Sequence, residues 1–187
     1  MPKPIPKNSQ VVIIGGGVIG CSIAYHLTKL GMKDVALLER KTLTCGTTWA
    51  AAGLVVEMRG TKELTRMTGY GLDLYSRLES ETGQTTGFTR TGSLLIATNR
   101  EREREYNRIL SQSRTFSVEM ERINIDELKR LWPIMKTQDI IAAYYSPNDA
   151  LVNPVDTAMA LASGAHKGGA SIYEETEVLD FEIQNGQ

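Results

Sequence analysis

The apolar positions of this chain follow two kinds of spacing. Val11-Val12-Ile13-Ile14 and Val35-Ala36-Leu37-Leu38 are short uninterrupted apolar runs. Such runs suit parallel strands covered on both faces. Between them, Ile19, Ile23, Leu27 and Leu30 recur three and four residues apart, which predicts a helix over 18–30 ended by Gly31. Strand, glycine turn, helix and strand together make one βαβ unit.

The same alternation continues downstream. Residues 41–60 read as a long loop, with a short helix starting near Thr47 or Thr48. Leu64, Met67, Leu74, Tyr75 and Leu78 predict a helix over 62–81, weakened by Gly69 and Gly71. FTRTGSLLIAT at 88–98 reads as strand–turn–strand or as one long strand. A charged helix is expected over 100–113, and a short one over 126–132 that ends at Trp132-Pro133. AAYYS at 142–146 reads as a strand and 147–149 as a turn. Asn153 and Pro154 suit a helix cap and first position, with the helix running to about Lys167 before Gly168-Gly169. Residues 171–183 read as one or two strands, and Asn185-Gly186 as a hairpin turn. With a single residue after that turn, the expectation is the front piece of something longer.

Composition narrows the function. The chain is 41% hydrophobic and 23% charged, which suits a globular fold. Its net charge of −1 gives no reason to expect nucleic acid or an anionic membrane as partner. Cys21 and Cys45 form no disulfide framework. With His26 and His166 they match no zinc spacing, so no metal is expected. No apolar run approaches membrane-spanning length, and the opening MPKPIPKNSQ has no signal-peptide pattern. The default expectation is a cytoplasmic protein.

The glycine turn carries the candidate chemistry. Gly15, Gly17 and Gly20 are spaced GxGxxG between a buried strand and a helix, and Glu39 ends the next strand. Gly15 permits the tight turn, Gly17 lets a diphosphate approach the backbone, and Gly20 lets the helix pack on the sheet. The helix start at Val18 and Ile19 offers free N–H groups and partial positive charge. Glu39 can accept from ribose hydroxyls and would repel a 2′-phosphate, an argument against NADP that Arg40 softens. The turn does not separate NAD from FAD.

CGTTWAAAGLV at 45–55, with GGGVIGCSIAYHLTKLG and VALLER, resembles the flavin-dependent amine oxidoreductases that include sarcosine and dimethylglycine dehydrogenases. The resemblance continues through ETGQTTGFTRTGSLLIAT, LWPIM, YYSPNDALVNPVDTAMALASGAHKGGA and TEVLDF. It implies an α/β chain: a Rossmann-like, doubly wound FAD-binding domain with part of a sheet-based substrate domain. Residues 1–80 and 152–187 would form the first and 81–151 the second. In this reading Gly46, Thr47, Thr48, Trp49, Ala50, Ala51, Gly53 and Leu54 lie along the flavin end of FAD. Val178 sits on a strand whose backbone reads the adenine.

The chain departs from this family twice. The dehydrogenases carry a His where Ala50 stands, and that His bonds covalently to the flavin, so FAD should here be held without a covalent bond. Ala50 also fits a deliberate His→Ala change, or a relative that regulates. The family also needs roughly twice this length, so a missing C-terminal portion or a companion chain is expected as partner. The implied reaction oxidises a small N-methyl amine to an imine with loss of formaldehyde, passing electrons to an acceptor or to oxygen. No motif places a catalytic residue; Arg59, Arg66 and Arg90 are unplaced carboxylate candidates. Tyr144 and Tyr145 read as sheet packing rather than substrate contacts. The alternative is a non-catalytic flavin-fold regulatory subunit, similar to phosphatase-regulating relatives in FTRTGS at 88–93 and NDA at 148–150.

Overall fold

The computed structural model describes residues 5–183. In chain order the elements are β1 (Val11–Ile14), α1 (Val18–Lys29), β2 (Val35–Leu38), a 3-10 turn (Thr47–Ala50), β3 (Leu54–Val55), α2 (Lys62–Thr82), β4 (Thr89–Arg90) and β5 (Ser93–Ala97). They continue with α3 (Arg100–Phe116), β6 (Glu121–Ile123), α4 (Ile125–Leu131), β7 (Ala142–Ser146), β8 (Ala150–Leu151), α5 (Pro154–Lys167) and β9 (Ser171–Tyr173). Two compact units result. The first holds the chain up to Gly53, Tyr75–Gly87 and the chain from Val152; the second holds Leu54–Leu74 and Phe88–Leu151. Residues 54–74 group with the second unit.

The first unit is built on a parallel sheet ordered β1-β2-β9, in register Val11 to Val35 and Ala36 to Ser171. β2 is buried between its neighbours. β1 departs from the expectation of two covered faces: Ile13 is buried, but Val12 is 52% and Ile14 63% exposed. Among the described residues β1 pairs on one side only, so it forms a sheet edge.

α1 and α5 pack side by side. The face of α1 that is buried is not the apolar stripe. Gly20, Cys21, Ala24, Tyr25 and Thr28 are covered, while Ile19, Ile23 and Leu30 point outward. Small side chains bring the two axes close, and α5 answers with Ala158, Leu161, Ala162 and Ala165. A methyl group on Gly164 would lie 2.7 Å from the Tyr25 ring. Asn153 caps α5, its side chain accepting from the amides of Val155 and Asp156, and Pro154 opens the helix.

The second unit has two antiparallel sheets, β3-β8-β4 and β5-β7-β6. Residues 88–98 form strand–turn–strand, turning at Gly92 with φ +66. Tyr144 on β7 is fully buried; its hydroxyl donates to Asn107 Oδ1 at 2.8 Å and its ring meets Tyr106 edge-on. α2 runs unbroken through Gly69 and Gly71.

The expected strand over 171–183 is shorter than the sequence suggested. β9 stops at Tyr173 because Glu175 takes φ +51 and the chain bends away. The amides of Glu175 and Thr176 then donate to the carbonyls of Lys41 and Glu39. Val178 therefore lies on irregular chain, not on a strand. The Asn185-Gly186 turn falls outside the described residues. Among those residues no helix is long and apolar enough to cross a membrane, and no cluster could hold a metal ion.

Candidate dinucleotide site

β1 ends beneath α1, and the chain between them must reverse within three residues. Gly15 makes that possible by taking φ +106, which L side chains rarely adopt. Gly20 sits where a Cβ would lie 1.9 Å from the Gly15 carbonyl, so the first turn of α1 can rest on the bend only if that position is bare. Gly16, which the GxGxxG spacing passes over, is equally confined: a Cβ there would meet Leu43 and Glu39 at 2.5 and 2.9 Å. A Cβ on Gly17 would lie 3.1 Å from Thr48 Oγ1.

Glu39 holds this bend from the next strand. One carboxylate oxygen accepts from the Gly16 amide at 2.7 Å, and the other from the Lys41 amide at 3.0 Å. The Cys45 thiol lies 3.6 Å from the same second oxygen. The bond from Gly16, above all, holds the Glu39 carboxyl below the usual glutamate range, against a burial effect that raises it. The group is 8% exposed yet ionised at neutral pH. Each carboxylate oxygen has two acceptor directions, so capacity for a sugar hydroxyl remains.

Thr48, on the 3-10 turn, accepts from the Val18 amide at 3.0 Å and so caps α1 from outside the helix. The Ile19 and Gly20 amides have no partner among the described residues. They form the electropositive end of α1, the arrangement that binds phosphate oxygens. Thr44 holds the loop before this turn at φ +67, with its amide donating to Gly16 O.

These parts enclose a cavity of about 580 Å³. Of the residues singled out from sequence, Gly15, Gly17, Val18, Ile19, Gly20, Glu39, Arg40, Gly46, Thr47, Thr48 and Ala51 line it. Ile13, Ile14, Ile23 and Cys45 line it too. Their apolar surface suits a sugar ring or a flat heterocycle. Val178, with Thr176, Glu177 and again Glu39, lines an adjoining cavity of about 250 Å³. Trp49, Ala50, Gly53 and Leu54 line neither. Thr48 turns inward on the short 3-10 turn, whereas its neighbour Trp49 turns out, 67% exposed. Gly53 serves packing: its φ is +77, and a Cβ would lie 2.1 Å from Val152 O.

Cys21 and the two histidines are structural. The Cys21 thiol is fully buried, donates to Gly16 O at 3.6 Å, and is pushed up to about 11 by burial. His26 Nδ1 lies 2.7 Å from Ser22 O, and His166 Nδ1 3.2 Å from Ala170 O.

Comparison with known proteins agrees with this geometry. Residues 10–187 match the FAD dependent oxidoreductase family. The chain is 40% identical over 183 residues to the mitochondrial pyruvate dehydrogenase phosphatase regulatory subunit of Mus musculus, covering 98% of this chain and 21% of that protein. It is 39% identical over 182 residues to the mitochondrial sarcosine dehydrogenase of Homo sapiens, covering 97% and 20%. Among solved structures, L-proline dehydrogenase from P. horikoshii superposes with a TM-score of 0.90 at 28% identity, covering 97% of this chain and 48% of that one. The chain spans about a fifth of the length of these curated relatives.

Proposed function

We propose, from the premise that this chain belongs to the FAD dependent oxidoreductase family, that it is the FAD-binding part of an enzyme oxidising a small N-methyl amine. The observation that carries this reading is the glycine bend with its ionised Glu39 beside the open end of α1. The bend and the Ile19 and Gly20 amides hold the diphosphate, Glu39 and Arg40 face the ribose, and the chain around Val178 meets the adenine. Gly46, Thr47, Thr48 and Ala51 hold the segment next to the flavin half, with Trp49, Ala50, Gly53 and Leu54 as its outer frame. Bound FAD supplies the two-electron acceptor. The substrate carbon next to nitrogen loses a hydride, and water adds to the resulting imine, releasing formaldehyde and the demethylated amine. Electrons would then pass from the reduced cofactor to a protein acceptor or to oxygen. Likeness to a sarcosine dehydrogenase supports the N-methyl class. With alanine at position 50, the flavin is held without a covalent bond.

The test is to mix purified protein with FAD, record absorbance, then add sarcosine or dimethylglycine without oxygen. Bleaching of the flavin band is expected, and acid precipitation should leave all flavin in the supernatant. Flavin in the precipitate would refute non-covalent binding. A second reading, a flavin-fold regulatory subunit without turnover, is favoured by the likeness to the phosphatase regulatory subunit. Flavin that binds but is reduced by no amine would select it.

A further inference from the structure

The second unit contains a cavity of about 380 Å³, separate from the glycine bend and lined by its own residues. Its floor is apolar: Leu95 from β5, Met120 before β6 and Ile109 from α3, with Val56 and Met58 from the loop before α2. That volume lies at the lower end of small-ligand cavities. Two cations reach it, Arg59 and Arg108.

Neither guanidinium has an ion pair or hydrogen-bond partner among the described residues. This is a matter of spacing along α3. Arg100 and Arg102 each find a glutamate three residues on, at Glu103 and Glu105. Arg108 has Ser111 and Gln112 ahead of it, and behind it Arg104 and the Glu105 already taken by Arg102. The acid within the cavity, Asp149, is also committed. One oxygen accepts from the Glu57 amide at 2.9 Å and the other from the Ser93 hydroxyl. Two uncommitted cations against one committed carboxylate leave the cavity with cationic character over an apolar floor.

We propose that this cavity binds an amphipathic monocarboxylate, with its carboxylate between Arg59 and Arg108 and its hydrocarbon part over Leu95, Met120 and Ile109. Planar guanidinium groups match a carboxylate in two-point geometry. The apolar floor favours a tail of several carbons over a short acid. This site does not depend on the redox reading above, because none of its residues lines the dinucleotide cavity.

Octanoate is the probe, titrated calorimetrically into the full chain, with acetate and 1-octanol as controls. Octanoate should bind and both controls should bind at least about tenfold more weakly, since each lacks one of the two recognition elements. Arg59→Gln and Arg108→Gln should each weaken octanoate by about tenfold, as expected for loss of one charged hydrogen-bonding partner. Both side chains are exposed, so the variants should keep the parent melting curve and the parent affinity for ADP. Equal binding of 1-octanol, or octanoate affinity unchanged in both variants, would overturn the proposal. A Leu95→Lys variant, placing a charge on the floor, should abolish octanoate binding while ADP binding persists; retained octanoate binding would also overturn it.

Discussion

Glu39 does two things at once: it ties the Gly16 and Lys41 amides and presents charge to the dinucleotide cavity. Because its folded value is lowered, its contribution to stability is complete at neutral pH and is lost as pH falls through that value. The parent protein should therefore lose melting temperature on acidification below the ordinary glutamate range, and Glu39→Gln should lose less. Thermal melts followed by circular dichroism at several pH values check this. At neutral pH the same variant should bind ADP about tenfold more weakly, having given up a charged acceptor. Gly20→Ala should cost about 1–3 kcal/mol, since its methyl runs into the Gly15 carbonyl. Thiol labelling gives another check. Cys45 lines the cavity, so saturating ADP should slow its reaction with an aromatic disulfide reagent; an unchanged rate would place nucleotide elsewhere. The motif spacing made Gly15, Gly20 and Glu39 legible in the sequence. It passed over Gly16 and Cys45, whose roles come from contacts with Glu39 across the strand that no local pattern encodes.

The helices show where periodicity misleads. Ile19, Ile23, Leu27 and Leu30 announce α1 correctly, yet Ile19 is 74% exposed. Close approach of α1 to α5 is set by the smallest side chains, and alanine, glycine and threonine leave little trace in a hydrophobic pattern. Gly164→Leu should therefore cost about 1–3 kcal/mol through overpacking against Tyr25. Leu30→Gln, by contrast, should stay within about 0.5 kcal/mol. Chemical denaturation of the two variants separates the faces. The start of α5 was readable because Asn153-Pro154 states its own chemistry. The end of β9 was not, because the pull that bends it away is the pair of carbonyls at Glu39 and Lys41, remote in sequence.

Across the whole chain, the βαβ signature identified the parallel sheet, and the family resemblance supplied FAD. The grouping of residues 54–74 was not readable, because β3 finds its partner in β8, about a hundred residues on. The division into two units carries its own expectation. Tyr144 packs at the heart of the second unit, and every residue lining the dinucleotide cavity belongs to the first. Tyr144→Phe removes the buried hydroxyl's bond to Asn107 Oδ1 and should lower the melting temperature while leaving ADP affinity alone. Equal losses in both would mean that the units respond as one.

Cys21 lies sealed under the very bend it bonds to, with its thiol kept protonated. Reagents in solution can reach it only during moments when the bend lifts. Its slow modification by a thiol reagent is therefore a clock ticking at the frequency with which the nucleotide cradle comes apart, readable by mass spectrometry as the reagent's added mass, and a ligand that clamps the cradle should stop it.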